Sequence, residues 1–352
     1  MFILLGTFLS ALILSFFSIP SIIRVAEIKH LYDEPGERKS HDQKVPNLGG
    51  IAIFAAFGIS LNFWADFSKV PEIQYVLCAT LLMFFTGLKD DIVHLVAYKK
   101  FIIQIIAASI LIIAGDVRLT SFYGLFGIRE ISFIFSYFLS LVAIVGITNS
   151  FNLIDGVNTL ASGLGILITS IFGGWFFLYG YIEYAIIAFS LTGALLGFLY
   201  YNWTPAKVFM GDSGSLILGI VCSILAIKFV EINRVNSFVS SGPAVAIGIM
   251  MVPLFDTLRV MVIRIINRRS PFSPDKNHLH HLLLKRGMSH LRVSLVLILI
   301  NSAFILFAFN SGIPGGGTLM AIMLGFAVTI FYAFEKVRIK KPKFPEEVLY
   351  KN

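Results

Sequence analysis

Long apolar runs alternate with short polar connections along the whole chain. The runs fall at 2–23, 47–65, 72–88, 101–115, 131–150, 159–178, 183–201, 213–230, 241–265, 291–310 and 317–335. Each is close to the ~17–25 residues that an α-helix needs to cross a bilayer core. Barrel strands would instead alternate apolar and polar positions over about ten residues. The pattern predicts an all-α, polytopic membrane protein with about 11 transmembrane helices. The first run, "MFILLGTFLSALILSFFSIPSIIR", has no basic leader and no small-residue cleavage site, so it reads as a retained span. No long repeat or linker divides the series. Residues 1–352 are expected to form a single integral-membrane domain.

Composition sharpens this picture. The chain is 57% hydrophobic with a mean hydropathy of +0.84, above the ~45–50% apolar content of soluble domains. Cys78 and Cys222 both fall inside apolar runs, so no disulfide is expected. The net charge of +8 would suit nucleic acid in a soluble protein. In a membrane protein it reflects loops facing anionic lipid, and no nucleic-acid partner is expected. The 28 Lys and Arg divide 23 to 5 between the two sets of connections. The positive-inside rule then predicts an outer N-terminus and a cytoplasmic C-terminus.

That topology gathers five polar motifs on the cytoplasmic face. The first is "GLKDDI", where Asp90 and Asp91 end a span. Two acids oppose the dipole of a helix C-terminus, which favours cations. They are read as partners of a metal ion, of a phosphate-bound cation or of a proton; simple pairing with Lys89, Lys99 or Lys100 is the plainer alternative. In "FNLIDGVNTLASG", Asn152, Asp155 and Asn158 lie three apart and would share one helical face. Gly156 would let backbone approach a ligand. Alternatively, Asp155 or Asn158 simply caps the next helix. In "VFMGDSGSL", Gly211 and Gly214 flank Asp212, with Ser213 and Ser215 following. Small residues opening a helix expose N–H groups to an anion, and Asp212 is a hard-oxygen ligand suited to Mg²⁺. The plainer reading is a capped helix start. Phe209 just before it is a lipid-facing or core aromatic, or a surface on which a base stacks.

Asp256, in "VPLFDTLRV", is a carboxylate inside a span, functional by default or paired with Arg259. Finally, His278, His280 and His281 cluster in "SPFSPDKNHLHHLLLKRG" beside Arg268, Arg269 and Lys276. Without cysteines the spacing is no zinc pattern. It reads as a cationic loop gripping a polyphosphate. Arg38, Lys39, His41 and Lys44 offer a second phosphate clamp or ordinary positive-inside charge. Together the motifs describe one site with several carboxylates, a hard-metal position and many cations, suited to phosphate-bearing substrates at a membrane surface.

The same motifs, in this order over about residues 35 to 290, resemble the polyprenyl-phosphate N-acetylhexosamine-1-phosphate transferase family. The HLHH form, and Asn158 where the muramoyl-pentapeptide branch has a second acid, are similar to the GlcNAc-1-phosphate branch. The resemblance implies an enzyme of the bacterial inner (cytoplasmic) membrane. It would move sugar-1-phosphate from a UDP-N-acetylhexosamine, UDP-GlcNAc above all, to undecaprenyl phosphate, releasing UMP and opening the synthesis of a cell-surface glycan. Another UDP-HexNAc or UDP-MurNAc-pentapeptide is the alternative donor. It further implies Mg²⁺, replaceable by Mn²⁺, on Asp212 and Asn152, and a homodimer. Asp90 and Asp91 would hold or deprotonate the lipid phosphate, with Lys100 near the phosphates. Asn202, Phe209, Asp155 and Gly156 match uridine-pocket positions, with Asn158 in the same loop. His280, His281 and Arg269, with His278 beside them, lie in the loop expected to meet sugar and diphosphate. Two rivals fit less well. An ion-coupled transporter would carry its acids near the midplane of paired repeats. A CDP-alcohol phosphotransferase would pack its acids into one helical motif with an arginine that "IDGVNTLA" lacks.

Overall fold

The computed structural model describes residues 1–31, 45–124, 127–270, 277–313 and 315–336. The proposed clamp at Arg38, Lys39, His41 and Lys44 lies outside the described residues, as does Lys276. Among the described residues thirteen helices follow one another: α1 Phe2–Ile28, α2 Gly49–Trp64, α3 Ile73–Ile92, α4 Ala97–Ser109 with a π-helical extension to Ala114, α5 Phe133–Ile154, α6 Leu160–Leu178 and α7 Ile182–Asn202. They continue as α8 Gly211–Asn236, α9 Gly242–Ile249, α10 Met251–Ile266, α11 Leu279–Lys285, α12 His290–Asn310 and α13 Gly316–Lys336. Among the described residues nine are long and apolar enough to cross a membrane, the bent pair α9–α10 is a tenth if it counts as one span, and α2 is a shorter apolar helix. The all-α polytopic architecture read from hydropathy is what the chain adopts. Both cysteines are free thiols.

The bundle is organised around α8. Of its apolar window 83% is buried, against 22% for α13, and α2, α3, α5, α6, α7 and α9 pack around it. Between apolar helices in lipid there is little hydrophobic drive to associate, so close approach of small residues matters more. On α1, Leu5, Leu9, Ile13 and Phe17 face outward. Thr7, Ala11 and Ser15 face inward against α7. There a Cβ on Gly193 would lie 2.3 Å from Phe8 O, and one on Gly197 2.6 Å from Leu12 O. The i, i+4 glycine pair sets the α1–α7 spacing at backbone contact.

The bundle has two polar ends. At one, Glu72 accepts Lys228 Nζ at 2.7 Å and the Tyr184 hydroxyl. Nearby, Glu231 accepts the Thr120 N–H at 2.8 Å and the Tyr123 hydroxyl. The other end carries Asp90, Asp91, Lys100, Asn152 and Asp212.

The run at 241–265 is not one straight helix. It breaks between Ile249 and Met251, and α10 turns 84° away from α9. Pro253 is the cause: its ring removes one N–H and collides with the carbonyl four residues back, that of Ile249. A broken helix at membrane depth must satisfy its freed backbone groups within the protein. Asn301 of α12, fully buried, does this twice. Its Nδ2 donates to Ile249 O at 2.8 Å, and its Oδ1 accepts the Val252 N–H at 3.0 Å. Hydropathy sees only the apolar sum and missed the bend. Asn301→Leu is expected to leave both groups unpaired and cost about 1–3 kcal/mol. Denaturation of the purified protein in mixed micelles measures this, and Asn301→Gln is expected to lose less than Asn301→Leu.

Candidate active site

The site is built on the first turn of α8. Helix N-termini leave N–H groups unpaired and carry the positive end of the dipole. Sequence reading offered those groups to a substrate anion. The structure gives them to Asp91. Its Oδ1 accepts the Asp212 N–H at 2.7 Å, and its Oδ2 accepts the Ser213 N–H at 3.0 Å and the Ser213 hydroxyl at 2.7 Å. Asp91 therefore caps α8 from the end of α3, and both its oxygens are committed. The fit leaves no room for larger residues. A Cβ on Gly87 would lie 2.3 Å from Ser213 N, and one on Gly50 2.2 Å from Gly214 N. Gly211 takes φ +71, and a Cβ there would meet Asn47 O at 2.2 Å and the Asp91 carboxylate. Asn47, Gly50 and Gly87 were not singled out from sequence as site residues. Their signal was a glycine pair at a span start and a glycine three residues before an acid.

Asp91 thereby points the Asp212 side chain into the site. Asp212 Oδ1 accepts Asn152 Nδ2 at 2.7 Å, and Asn152 also donates to Ser215 Oγ at 2.9 Å. These bonds turn Asn152 Oδ1 outward, to 3.3 Å from Lys100 Nζ. Lys100 Nζ also reaches Asp90 Oδ2 at 3.3 Å and pairs with Asp212 Oδ2. The other oxygen of Asp90 accepts the Leu95 N–H at 2.5 Å, folding the α3–α4 connection back on α3. So the plain pairing of an acid with Lys100 holds for Asp90, and three oxygens from α3, α5 and α8 converge on one cation. Among the described residues no three His, Cys, Asp or Glu side chains cluster as a metal site. Two carboxylates and an amide oxygen are a smaller set, of the kind Mg²⁺ takes when substrate phosphates and water complete its shell.

Asn152, Asp155 and Asn158 do not share a helical face. The helix ends at Ile154 and the chain turns through Asp155–Asn158 before α6 begins. Neither Asp155 nor Asn158 caps that helix; Thr159 holds the position in a left-handed conformation. Asp155 nonetheless faces the site. Withdrawal from water, then the charges of Asp212 and Asp91, holds its carboxyl well above the usual carboxylate range. Asn202 is buried and serves as a tie: its Oδ1 accepts the Thr159 N–H at 2.8 Å and its Nδ2 donates to Val208 O at 2.9 Å. Phe209 joins the loop before α2 through backbone bonds to Pro46 O at 2.8 Å and from the Gly49 N–H at 3.0 Å, leaving its ring partly accessible. Asn158 O accepts Ser294 Oγ at 2.8 Å, which anchors this turn to α12.

The histidines are not a solvated cationic loop. Asp256 uses Oδ1 to accept the Leu279 N–H at 3.0 Å, at the start of α11. Its Oδ2 lies 3.0 Å from His278 Nδ1, and Arg259 is 3.2 Å from Oδ1 and also donates to Asn277 O. The intramembrane acid is thus both ion-paired, as its plainer reading had it, and the group that docks α11. His278 and His280 are buried and stack with centroids 5.8 Å apart; His281, partly accessible, lies 4.3 Å from His280. A Cβ on Gly156 would fall 2.6 Å from His280 Nε2, so the group that approaches this glycine is the histidine ring. Burial, then the charge of His281, pushes the His280 imidazole down to about 3. It is a neutral packed ring at physiological pH, not a phosphate-gripping cation. Arg269 is exposed just beyond α10, its N–H bonded to Arg264 O at 2.8 Å.

Fold and site together define a polytopic membrane protein with a polar, cation-holding centre at one end of its bundle. Known proteins share this chain's pattern. The family model described as glycosyl transferase family 4 matches residues 73–230. A probable undecaprenyl-phosphate N-acetylglucosaminyl 1-phosphate transferase of Bacillus subtilis is 33% identical over 81% of this chain and 78% of its own. An undecaprenyl-phosphate alpha-N-acetylglucosaminyl 1-phosphate transferase of Salmonella typhi is 31% identical over 78% and 74%. A decaprenyl-phosphate N-acetylglucosaminephosphotransferase of Mycolicibacterium smegmatis is 34% identical over 75% and 71%. This chain belongs to glycosyl transferase family 4.

Two outcomes follow from the geometry. Asp91→Ala uncaps α8 and is expected to cost about 1–2 kcal/mol, more than Asp90→Ala, as read by thermal unfolding of the two purified variants. His280 binds its proton less readily folded (about 3) than at its ordinary 6.5. Between those values the unfolded chain holds more protons, so stability should fall as pH drops below about 6.5. The melting midpoint followed from pH 8 to 5 should show that slope in the wild type and a shallower one in His280→Gln.

Proposed function

We propose that the chain transfers GlcNAc-1-phosphate from UDP-GlcNAc to undecaprenyl phosphate, yielding undecaprenyl-diphospho-GlcNAc and UMP. All three relatives, each matched over most of this chain, are named for transfer of GlcNAc-1-phosphate, those of Bacillus subtilis and Salmonella typhi to undecaprenyl phosphate and that of Mycolicibacterium smegmatis to decaprenyl phosphate, which supports the sugar and a polyprenyl-phosphate acceptor. They favour GlcNAc over a muramoyl-pentapeptide donor. The carrying structural observation is the convergence of Asp90 Oδ2, Asn152 Oδ1 and Asp212 Oδ2 on Lys100 Nζ. Hard oxygens focused on one point fit Mg²⁺, with Mn²⁺ as a substitute. When bound there, the metal supplies charge neutralisation for a diphosphate.

The chain's own residues do the rest. Phosphoryl transfer asks a protein mainly for alignment and charge stabilisation. An oxygen of the lipid phosphate attacks the β-phosphorus of the donor. A P–O bond forms there as the P–O bond to UMP breaks. An anionic phosphate needs little deprotonation, so Asp90 serves chiefly to position Lys100 and the attacking group. Asp91 does not meet the lipid; it fixes Asp212. Lys100 offers its ammonium to the reacting phosphates. Phe209 presents a ring to the uracil, while Asn202 holds the loops around it. His281 and Arg269, the more accessible members of their segment, face the sugar-diphosphate, and His278 and His280 hold that segment in place. The 23-to-5 division of basic residues supports a site opening to the cytoplasm from the bacterial inner membrane.

The test is an exchange assay. Purified protein is mixed with undecaprenyl phosphate, MgCl₂ and radiolabelled UDP-GlcNAc, UDP-GalNAc or UDP-MurNAc-pentapeptide. Label from UDP-GlcNAc is expected in the lipid phase, dependent on Mg²⁺ and reduced roughly 10²-fold or more in Asp212→Asn. Folded protein that moves no label from any of the three donors overturns the reading and returns ion-coupled transport to consideration.

A further inference from the structure

We propose that Lys100 and the divalent cation compete for one set of oxygens, so that loading the metal and releasing the Lys100 ammonium are a single event. The inference rests on the metal reading above. Lys100 Nζ touches Asp90 Oδ2, Asn152 Oδ1 and Asp212 Oδ2 and sits where they converge. The three come from α3, α5 and α8, and each is held independently of Lys100. Asp90 is tied by the Leu95 N–H, Asn152 by Asp212 and Ser215, and the start of α8 by Asp91. The donor set is therefore rigid, and the flexible partner is the lysine, with four methylenes on the first turn of α4. Lys100 and Asp90 side chains are each 14% exposed, and Asp212 is 28% exposed, so the focus is screened only in part.

Mg²⁺ binds oxygen at about 2.0–2.1 Å. An ammonium touching the same atoms would then be held within a few ångströms of a double positive charge at low dielectric. The two cannot share the point. The lysine yields, because the oxygens are fixed and its stem can turn. Once released, its three N–H donors have lost their carboxylate partners beside the bound metal. An anionic phosphate is the chemistry that satisfies them. Metal loading thereby creates the cation that receives the donor diphosphate, and phosphate binding in turn keeps Lys100 off the metal oxygens. The coupling is reciprocal, as linkage requires.

The experiment measures Mn²⁺ binding directly, by the EPR signal of free Mn²⁺ in titrations of the full-length protein in detergent, without substrate. Five proteins are compared: wild type, Lys100→Met, Lys100→Ala, Lys99→Met and Asp212→Asn. Lys99 is exposed beside Lys100, so Lys99→Met removes the same formal charge without touching the oxygens. Lys100→Met is expected to bind Mn²⁺ roughly tenfold tighter than wild type or more, and Lys99→Met within about twofold of it. Lys100→Ala is expected to match Lys100→Met, which covers instability of either variant. UMP or UDP added to the wild type should tighten Mn²⁺, and tighten it less in Lys100→Met. If Asp212→Asn weakens binding but Lys100→Met and Lys100→Ala are no tighter than Lys99→Met, competition is overturned and the metal site stands. If Asp212→Asn binds Mn²⁺ as well as wild type, the metal reading itself fails.

Discussion

A carboxylate on one helix closes the N-terminus of another. Asp91 and the first turn of α8 are 121 residues apart in sequence, yet their three hydrogen bonds settle where Asp212 points. Everything at the polar end is registered to that contact. Asp212 orients Asn152, and Asn152 with Asp90 and Asp212 defines the point that Lys100 fills. The cap also matches charge to dipole: a negative group meets the positive end of the most buried helix in the bundle. Two adjacent aspartates thus divide their labour by direction. Asp91 points at backbone and builds; Asp90 points at the open site.

A second acid repeats the device. Asp256 takes the first N–H of α11, holds His278, and pairs with Arg259. α10 leaves α9 at 84°, and Asp256 in its second turn meets the segment around His278. The bend in turn depends on Pro253 and on one buried amide, Asn301, that satisfies both sides of the break. A polar residue in the middle of an apolar helix thereby positions a histidine cluster it never touches. The two halves of the site meet where Gly156, next to Asp155, packs on the His280 ring.

Much of this was legible in the sequence. Apolar runs of bilayer length located the spans within a few residues. The acids and amides that stand out against them, Asp90, Asn152, Asp155 and Asp212, do come together. Sequence reading failed where the deciding partner is remote or where orientation, not residue type, carries the meaning. The N–H groups of Asp212 and Ser213 looked free for a ligand because their cap lies on another helix. His280 looked cationic because it stands among basic residues, but packing against Gly156 and the rings of His278 and His281 removes it from water. The run at 241–265 looked continuous because a hydropathy sum has no term for an angle. Asn202 entered only through the family resemblance, as a uridine-pocket position; the bonds of its amide to the Thr159 N–H and Val208 O are between segments that no short motif links.

Gly50 and Gly87 have a consequence for how such a chain can drift. Each lies on a different helix and faces the first turn of α8, where a Cβ on Gly50 would lie 2.2 Å from Gly214 N and one on Gly87 2.3 Å from Ser213 N. Backbone cannot be trimmed by mutation, so no change on α8 makes room for a methyl group at either glycine. Neither position therefore has a compensating partner. They are expected to be invariant without covariation, silent in any analysis of correlated substitution although they hold α2, α3 and α8 in register.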